Sequence, residues 1–219
     1  MQEILEQMDK FFTTRVQGYD EHMRSEVEGD SSFYEFTALQ LPPAGKANIL
    51  DLGCGTGLEL EAYYMINPHA KVTGIDLTQA MLDALKAKFP DKDITLICGS
   101  YFDVPFGKEI FDAAVSVESL HHFSGEEKAS LYTRLRSALK PGGCFILTDY
   151  FADLEEQEIF FRQEMLRLRK EQHLPDDVFY HYDTPLTVRH EKEILLSAGF
   201  SSVEELNRWE ATHTLRAVK

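Results

Sequence analysis

The run Asn48-Ile49-Leu50-Asp51-Leu52-Gly53-Cys54-Gly55-Thr56-Gly57 constrains this chain more than any other stretch. A short apolar segment reaches a carboxylate and then breaks into three glycines spaced two apart. A buried parallel strand ends this way when the following loop must bring its backbone close to a ligand. Glycine suits such a loop because it lacks a Cβ and adopts positive φ at little steric cost. The spacing also narrows the ligand. A nicotinamide or flavin dinucleotide wants G-x-G-x-x-G, with a third glycine for close helix packing, and that place is Leu58 here. A dehydrogenase reading is thereby disfavoured.

From about residue 47 to residue 150, short apolar runs alternate with helix-like runs, the signature of βαβ units around a parallel sheet. The expected strands are 47–52, 71–76, 94–98, 111–117 and 144–149, each apolar as strands covered on both faces should be. Met81, Leu82, Leu85 and Phe89 recur at helical spacing after Thr78, which is placed to cap. Leu131, Leu135 and Leu139 follow the capping box Ser124-Gly125-Glu126-Glu127. Lys140-Pro141-Gly142-Gly143 should stop that helix and turn the chain.

Beyond Tyr150 the pattern changes. Residues 153–172 read as a charge-rich helix carrying Leu154, Ile159, Phe161, Leu166 and Leu168, with Pro175 after it. Phe179-Tyr180-His181-Tyr182 follows, dense in rings. A helix over 187–198 closed by Gly199 and strands near 202–206 and 212–218 complete the chain. There is no repeat and no Gly-, Ser- or Pro-rich linker. The expectation is one domain over 1–219: a helical cap (1–45), a cofactor-binding βαβ core (46–150), a lid-like insertion (151–186), and a C-terminal helix with strands (187–219).

The chain has 219 residues, enough for one well-buried α/β domain. No run approaches the ~18 apolar residues that span a membrane. Met1-Gln2-Glu3-Ile4-Leu5-Glu6 lacks the basic and apolar regions of a secretory signal. Cys54, Cys98 and Cys144 are odd in number and far apart, so they read as reduced thiols, and a cytoplasmic location is expected. The net charge of −15 repels phosphate backbones and argues against a nucleic-acid partner.

The glycine run resembles motif I of the class I S-adenosylmethionine-dependent methyltransferases, and the resemblance extends over roughly residues 48–219. It implies a Rossmann-like, doubly wound, seven-stranded mostly parallel α/β sheet with a C-terminal antiparallel strand, plus a helical cap and insertion. It also implies S-adenosyl-L-methionine as cofactor and S-adenosyl-L-homocysteine as product. In the family an acid ends the second strand and takes the ribose hydroxyls; here it is Asp76, with Leu77 next for adenine. After the third strand the family often has Gly-Asp, but this chain reads Gly99-Ser100-Tyr101-Phe102-Asp103-Val104-Pro105-Phe106. Ser100 replaces the aspartate, which moves adenine recognition to its hydroxyl, to backbone groups or to the Tyr101 ring.

The implied cofactor contacts are Asp51, Gly53, Cys54, Gly55, Thr56 and Gly57 in the loop, then Asp76, Leu77 and Met81, then Gly99, Ser100, Tyr101 and Phe102. Val117 and Glu118 join them after the fourth strand, where ligands of open α/β sheets bind. Phe11-Phe12-Thr13-Thr14-Arg15-Val16-Gln17-Gly18-Tyr19 resembles the family's cap, in which Tyr19 closes over the cofactor and Arg15 reaches its carboxylate.

A sulfonium-bound methyl group is already activated, so transfer by in-line displacement requires no metal, and positioning is the main contribution. A hydroxyl acceptor gains from a base, for which histidine is the natural residue. His181 ranks first because it sits in the insertion, followed by His122 and His121. The leading expectation is methyl transfer to an oxygen or nitrogen of a small molecule, without membrane contact and with a homodimer left open. The alternatives are a tRNA or protein acceptor, or a non-catalytic S-adenosylmethionine-binding protein. The glycine motifs belong to the cofactor half and do not name the acceptor.

Overall fold

The apolar runs of the central region form strands β1 (Asn48–Leu52), β2 (Lys71–Asp76), β3 (Ile94–Cys98), β4 (Phe111–Val117) and β5 (Leu139–Tyr150) in a computed structural model. It describes residues 4–25 and 32–219, so residues 1–3 and 26–31, which the expected cap includes, lie outside it. Two more strands, β6 (Ser202–Trp209) and β7 (Thr212–Val218), complete a sheet of order β3-β2-β1-β4-β5-β7-β6. β7 runs antiparallel to β5 and β6, and the other pairs are parallel. The doubly wound, mostly parallel sheet with an antiparallel C-terminal strand is therefore present.

Helices α4 (Leu58–Ile66), α5 (Gln79–Lys88), α6 (Gly125–Ala138) and α8 (Val188–Ser197) flank the sheet, and α7 (Glu155–Glu171) belongs to the insertion. The cap supplies α1 (Met8–Arg15), α2 (Tyr19–Ser25) and α3 (Ser32–Leu39). Successive strand residues serve opposite faces: Leu50, Ala114 and Phe145 enter one apolar cluster, while Ile49, Val115 and Ile146 enter the other. This period-2 division follows from the pleat and explains why the strands are apolar on both faces.

Three local expectations change. Lys140-Pro141-Gly142-Gly143 lies inside β5, not between elements: Phe111 pairs with Leu139, then Ala113 with Cys144, so the strand bulges outward there. Pro141 has no N–H to give a ladder and Gly142 takes φ +77°, which together favour a bulge. Thr78 does not cap α5 with its side chain. The backbone N–H of Thr78 instead donates to Asp76 Oδ1 at 2.8 Å. Finally, of the apolar residues marked on α7 only Leu168 is buried, whereas Leu154, Ile159 and Leu166 are more than half exposed. The Ser124 capping box forms, with Ser124 N–H donating to Glu127 Oε2 at 2.8 Å.

Polar contacts decide how the outer helices attach. Lys128 of α6 and Glu191 of α8 form an ion pair of 2.7 Å with side chains 2% and 0% exposed. The Tyr132 hydroxyl donates to the other Glu191 oxygen. The cap is held by Asp20, whose carboxylate accepts from Thr56 Oγ1 at 2.5 Å and from Lys88 Nζ at 2.6 Å. One side chain thus ties α2 to the glycine loop and to the end of α5. Burial works to raise the Asp20 pKa, but the bonds from Lys88 and Thr56 outweigh it and hold the carboxyl below its ordinary value of 3.8.

Glu191→Ala leaves the Lys128 charge buried without its partner, so stability should fall by about 3–5 kcal/mol in denaturant unfolding. A loss below about 1 kcal/mol would mean that solvent reaches Lys128 and that the pair is not a buried one. Asp20→Asn should loosen the cap at neutral pH, raising hydrogen exchange over α2. Because the Asp20 pKa is depressed by folding, its contribution is full above 3.8 and is lost as pH falls through the lower folded value. The difference between wild type and Asp20→Asn should therefore vanish in acid; a difference independent of pH would assign it to packing alone.

Candidate functional site

The strand order reverses between β1 and β4, and the carboxyl ends of these strands open a crevice where ligands of such sheets bind. The glycine loop forms its floor. Gly53 and Gly55 take φ +72° and +47°, and Gly53 N–H donates to the Ile75 carbonyl at 2.8 Å. A Cβ on Gly53 would stand 2.0 Å from Ser119 Oγ, so no other residue fits there. A Cβ on Gly55 would meet nothing within 4 Å, which leaves that backbone open to the crevice.

Asp76 joins the two loops that border the crevice. Its Oδ2 accepts from Gly55 N–H at 2.9 Å and its Oδ1 from Thr78 N–H at 2.8 Å. Burial raises its pKa above the ordinary carboxylate value even against these two bonds. The hydroxyl of Thr78 is buried without a hydrogen-bond partner and lines the same crevice. Around it stand Met8, Phe12, Tyr19, Leu77, Met81, Gly99, Ser100, Tyr101, Val117, Glu118, Ser119, His122, Phe123 and Phe179.

Of the residues expected at a cofactor, the structure brings Tyr19, Gly53, Gly55, Asp76, Leu77, Met81, Gly99, Ser100, Tyr101, Val117 and Glu118 to this lining. Asp51, Cys54, Thr56, Gly57, Phe102 and Arg15 are not in it, for separate reasons. In the G-x-G-x-G loop Gly53 and Gly55 face the crevice and the intervening side chains turn away. Cys54 Sγ packs toward Gly74, and Thr56 bonds to Asp20. Gly57, at φ +75°, packs against Leu85 and Phe89. Asp51 is buried at 1% exposure facing Glu59. Burial, then repulsion from Glu59, lifts the Asp51 pKa well above the ordinary range. Phe102 packs on Tyr101 and Phe123. Arg15 pairs with Glu6 at 2.8 Å and lies over the Phe11 ring at 3.7 Å.

The loop after β3 is held from outside by Arg134, whose guanidinium donates to the carbonyls of Tyr101, Phe102 and Val104. Ser100 Oγ accepts from Phe102 N–H at 3.1 Å and still faces the crevice. Glu118, the residue after β4, takes φ +48°, a strained conformation for a non-glycine residue. Its Oε1 accepts from Thr212 Oγ1 at 2.9 Å.

A second chamber of about 780 Å³ adjoins the first and shares Phe12, Tyr19, Glu118 and His122 with it. Backbone bonds between cap and insertion roof it. Met8 N–H donates to the Phe179 carbonyl and His181 N–H to the Glu6 carbonyl, each at 3.0 Å. All three expected histidines line this chamber, but only His122 reaches both. His181 stacks on Phe11, ring centroids 3.5 Å apart, and its ring lies 4.9 Å from that of His122. Burial, then the neighbouring His122, lowers the His181 pKa to about 4.

Sequence reading missed two carboxylates here. His121 Nδ1 lies 2.5 Å from Asp149 Oδ1, and His122 Nδ1 lies 3.1 Å from Asp183 Oδ1. Burial lowers the His122 pKa; for His121 the opposing pull of Asp149 and Asp183 overrides burial and raises it. Asp149 carried one legible signal, a carboxylate at the carboxyl end of a central strand. Asp183 lies two residues beyond His181 in the ring-dense segment already noted. Met8 gave no signal apart from being apolar, whereas Phe12 lies in the cap run and Ser119 and Phe123 belong to the segment after the fourth strand that is expected to line the pocket.

Comparison with known proteins agrees with this geometry. A family model described as a methyltransferase domain matches residues 49–143. An O-methyltransferase of Penicillium expansum is 31% identical over 136 residues, 59% of this chain and 47% of that protein. A tRNA (carboxymethyluridine(34)-5-O)-methyltransferase of Arabidopsis thaliana is 30% identical over 122 residues, 55% of this chain and 28% of its own length. The chain thus spans about half or less of these relatives. Among solved structures, phosphoethanolamine N-methyltransferase 2 of Haemonchus contortus, in complex with S-adenosyl-L-methionine, superposes with a TM-score of 0.72 at 17% identity. That likeness covers 97% of this chain and 58% of the other and speaks for the fold. No helix among the described residues is long and apolar enough to cross a membrane. With its glycine loop, switch-point crevice and sheet order in place, the chain carries a methyltransferase domain over residues 49–143.

Proposed function

We propose that the chain transfers the methyl group of S-adenosyl-L-methionine to an oxygen or nitrogen of a small molecule held in the second chamber. The observation that carries this reading is the shared wall of the two cavities, built by Phe12, Tyr19, Glu118 and His122. A volume of about 780 Å³ suits a metabolite-sized acceptor. The net charge of −15 disfavours a polynucleotide in the same place.

The residues of the first crevice fit the cofactor. Asp76 accepts ribose hydroxyls, the orphaned Thr78 hydroxyl gains a partner, and the bare backbone at Gly55 admits close approach. Leu77, Met81 and the Tyr101 ring offer apolar surface to adenine, with Ser100 as its polar neighbour. Tyr19 closes the crevice from the cap. When bound, the cofactor supplies an activated methyl on a sulfonium, and S-adenosyl-L-homocysteine leaves. The chain contributes alignment, which in favourable cases lowers the barrier by about 7–11 kcal/mol. Glu118 and the ring faces of Phe12 and Tyr19 offset positive charge at the junction of the cavities. Phe11 and Phe12 wall the acceptor side, and His181 accepts a hydrogen bond from the acceptor's O–H or N–H.

Asp76→Ala should weaken S-adenosyl-L-methionine binding by about 1–3 kcal/mol in calorimetry, the cost of losing hydrogen bonds to a charged group. An unchanged affinity would remove Asp76 from the site, and no binding by the wild type at millimolar cofactor would end the proposal. His181→Ala should leave cofactor affinity alone and lower kcat by about 100-fold or more; an unaltered kcat would make the ring a wall and nothing else. Assays for S-adenosyl-L-homocysteine release should respond to small hydroxyl or amine acceptors. Release with bulk tRNA alone would move the acceptor to RNA.

A further inference from the structure

The two histidines that follow β4 meet a carboxylate from the insertion. His122 Nδ1 stands 3.1 Å from Asp183 Oδ1, and His121 Nε2 stands 3.5 Å from the same oxygen. One donor atom from each of these three residues lies within 4.8 Å of the others. We propose that His121, His122 and Asp183 form a binding site for a divalent first-row transition cation on the floor of the acceptor chamber.

The separations have the right scale. Metal bonds of about 2.1 Å place neighbouring ligands about 3.0 Å apart in an octahedral site and about 3.4 Å apart in a tetrahedral one. The two observed spacings to Asp183 fall in this range, and the donor atoms of His121 and His122 lie within 4.8 Å of each other. Two imidazoles and one carboxylate are the donors of a facial triad, which leaves further positions open. They suit Zn²⁺, Mn²⁺ or Fe²⁺ better than Mg²⁺ or Ca²⁺, which favour oxygen ligands. The open side faces the chamber, which all three residues line. The Tyr182 carbonyl oxygen, 3.3 Å from His122 Nδ1, stands at its rim.

Two further features support the assignment. His121 Nδ1 lies 2.5 Å from Asp149 Oδ1, and Asp149 is itself fixed by the N–H groups of Leu120 at 2.8 Å and Tyr150 at 3.0 Å. A carboxylate behind a histidine that turns its other nitrogen outward is the usual support of a metal-bound imidazole. The charges also favour a cation. Glu118, Asp149 and Asp183 bring three carboxylates around two imidazoles, so the cluster stays negative even with both rings protonated. The sequence reading expected no metal because a sulfonium-bound methyl group is already activated.

The role of this site deepens the methyl-transfer proposal and rests on it. A cation here holds an acceptor hydroxyl beside the shared wall and lowers its pKa, so that its proton leaves through the hydrogen bond to His181 and on to water. The oxygen then forms its bond to the methyl carbon as the carbon–sulfur bond breaks, and both electrons of that bond stay on sulfur.

Metal binding can be measured with neither cofactor nor acceptor present, so its outcome is independent of the methyl-transfer reading. The chelator-treated full chain should take up one equivalent of Zn²⁺ or Mn²⁺ in calorimetry, at micromolar Kd or tighter. Asp149→Asn should weaken this 10- to 100-fold, and Asp183→Asn by at least as much, whereas His69→Asn on the exposed surface should change nothing. Absence of binding at millimolar metal, or equal binding by Asp183→Asn, would overturn the site. Should the variants fail to fold, Co²⁺ added to the wild type decides. Visible bands shifted from those of the aqueous ion support the proposal, and the unchanged spectrum of the aqueous ion refutes it.

Discussion

The carboxylate of Asp76, bound to the N–H groups of Gly55 and Thr78, is the contact on which the rest of the site depends. Through it the end of β2 grips both the glycine loop after β1 and the first turn of α5. It works because the glycines release the backbone from Cβ constraints while the carboxylate supplies a fixed acceptor for two N–H groups that otherwise lack one. The two loops then stand apart by one side chain, and the crevice between β1 and β4 has a defined width. Ser119 completes the arrangement from β4, so close to Gly53 that any side chain there would displace it.

On this floor the cap and the insertion build a second space. Neither could do so alone, because the cap's α1 and the segment around Phe179 are joined by backbone hydrogen bonds that belong to neither element's own secondary structure. Asp20 pins the cap from the other side, to Thr56 and Lys88. The outcome is a pair of cavities with a common wall. One is lined by apolar side chains and by the glycine backbone. The other carries rings, histidines and carboxylates. On the function proposed above, the first takes the cofactor and the second the acceptor.

The cluster of Glu118, His121, His122, Asp149 and Asp183 also shows how folding redistributes charge. Asp149 lies at the end of β5, Asp183 in the insertion and the histidines after β4, separated by up to 62 positions in the chain. Packed together they perturb one another, holding His121 toward its charged form and His122 away from it. Such opposed neighbours are typical of functional sites, where environment sets each group's state.

Much of the scaffold was legible in the sequence. The glycine spacing, the acid at Asp76 and the apolar strand runs are local signals, since each is fixed by backbone sterics or by period-2 burial. The doubly wound, mostly parallel sheet followed from the family resemblance, and the boundaries of β2, β3, β4 and β7 coincide with the runs read as strands. Where local signals failed, a tertiary contact had intervened. Thr78 read as a cap but its side chain makes no capping bond to α5, and Lys140-Pro141-Gly142-Gly143 read as a turn but was drawn into β5 by pairing with β4. The sequence by itself thus determined the sheet, the glycine crevice and the class of cofactor, because these rest on short-range rules. Only the tertiary structure decided which loop side chains face the crevice and which carboxylates reach the histidines. Those depend on distances between segments remote in the chain, which no spacing along the sequence encodes.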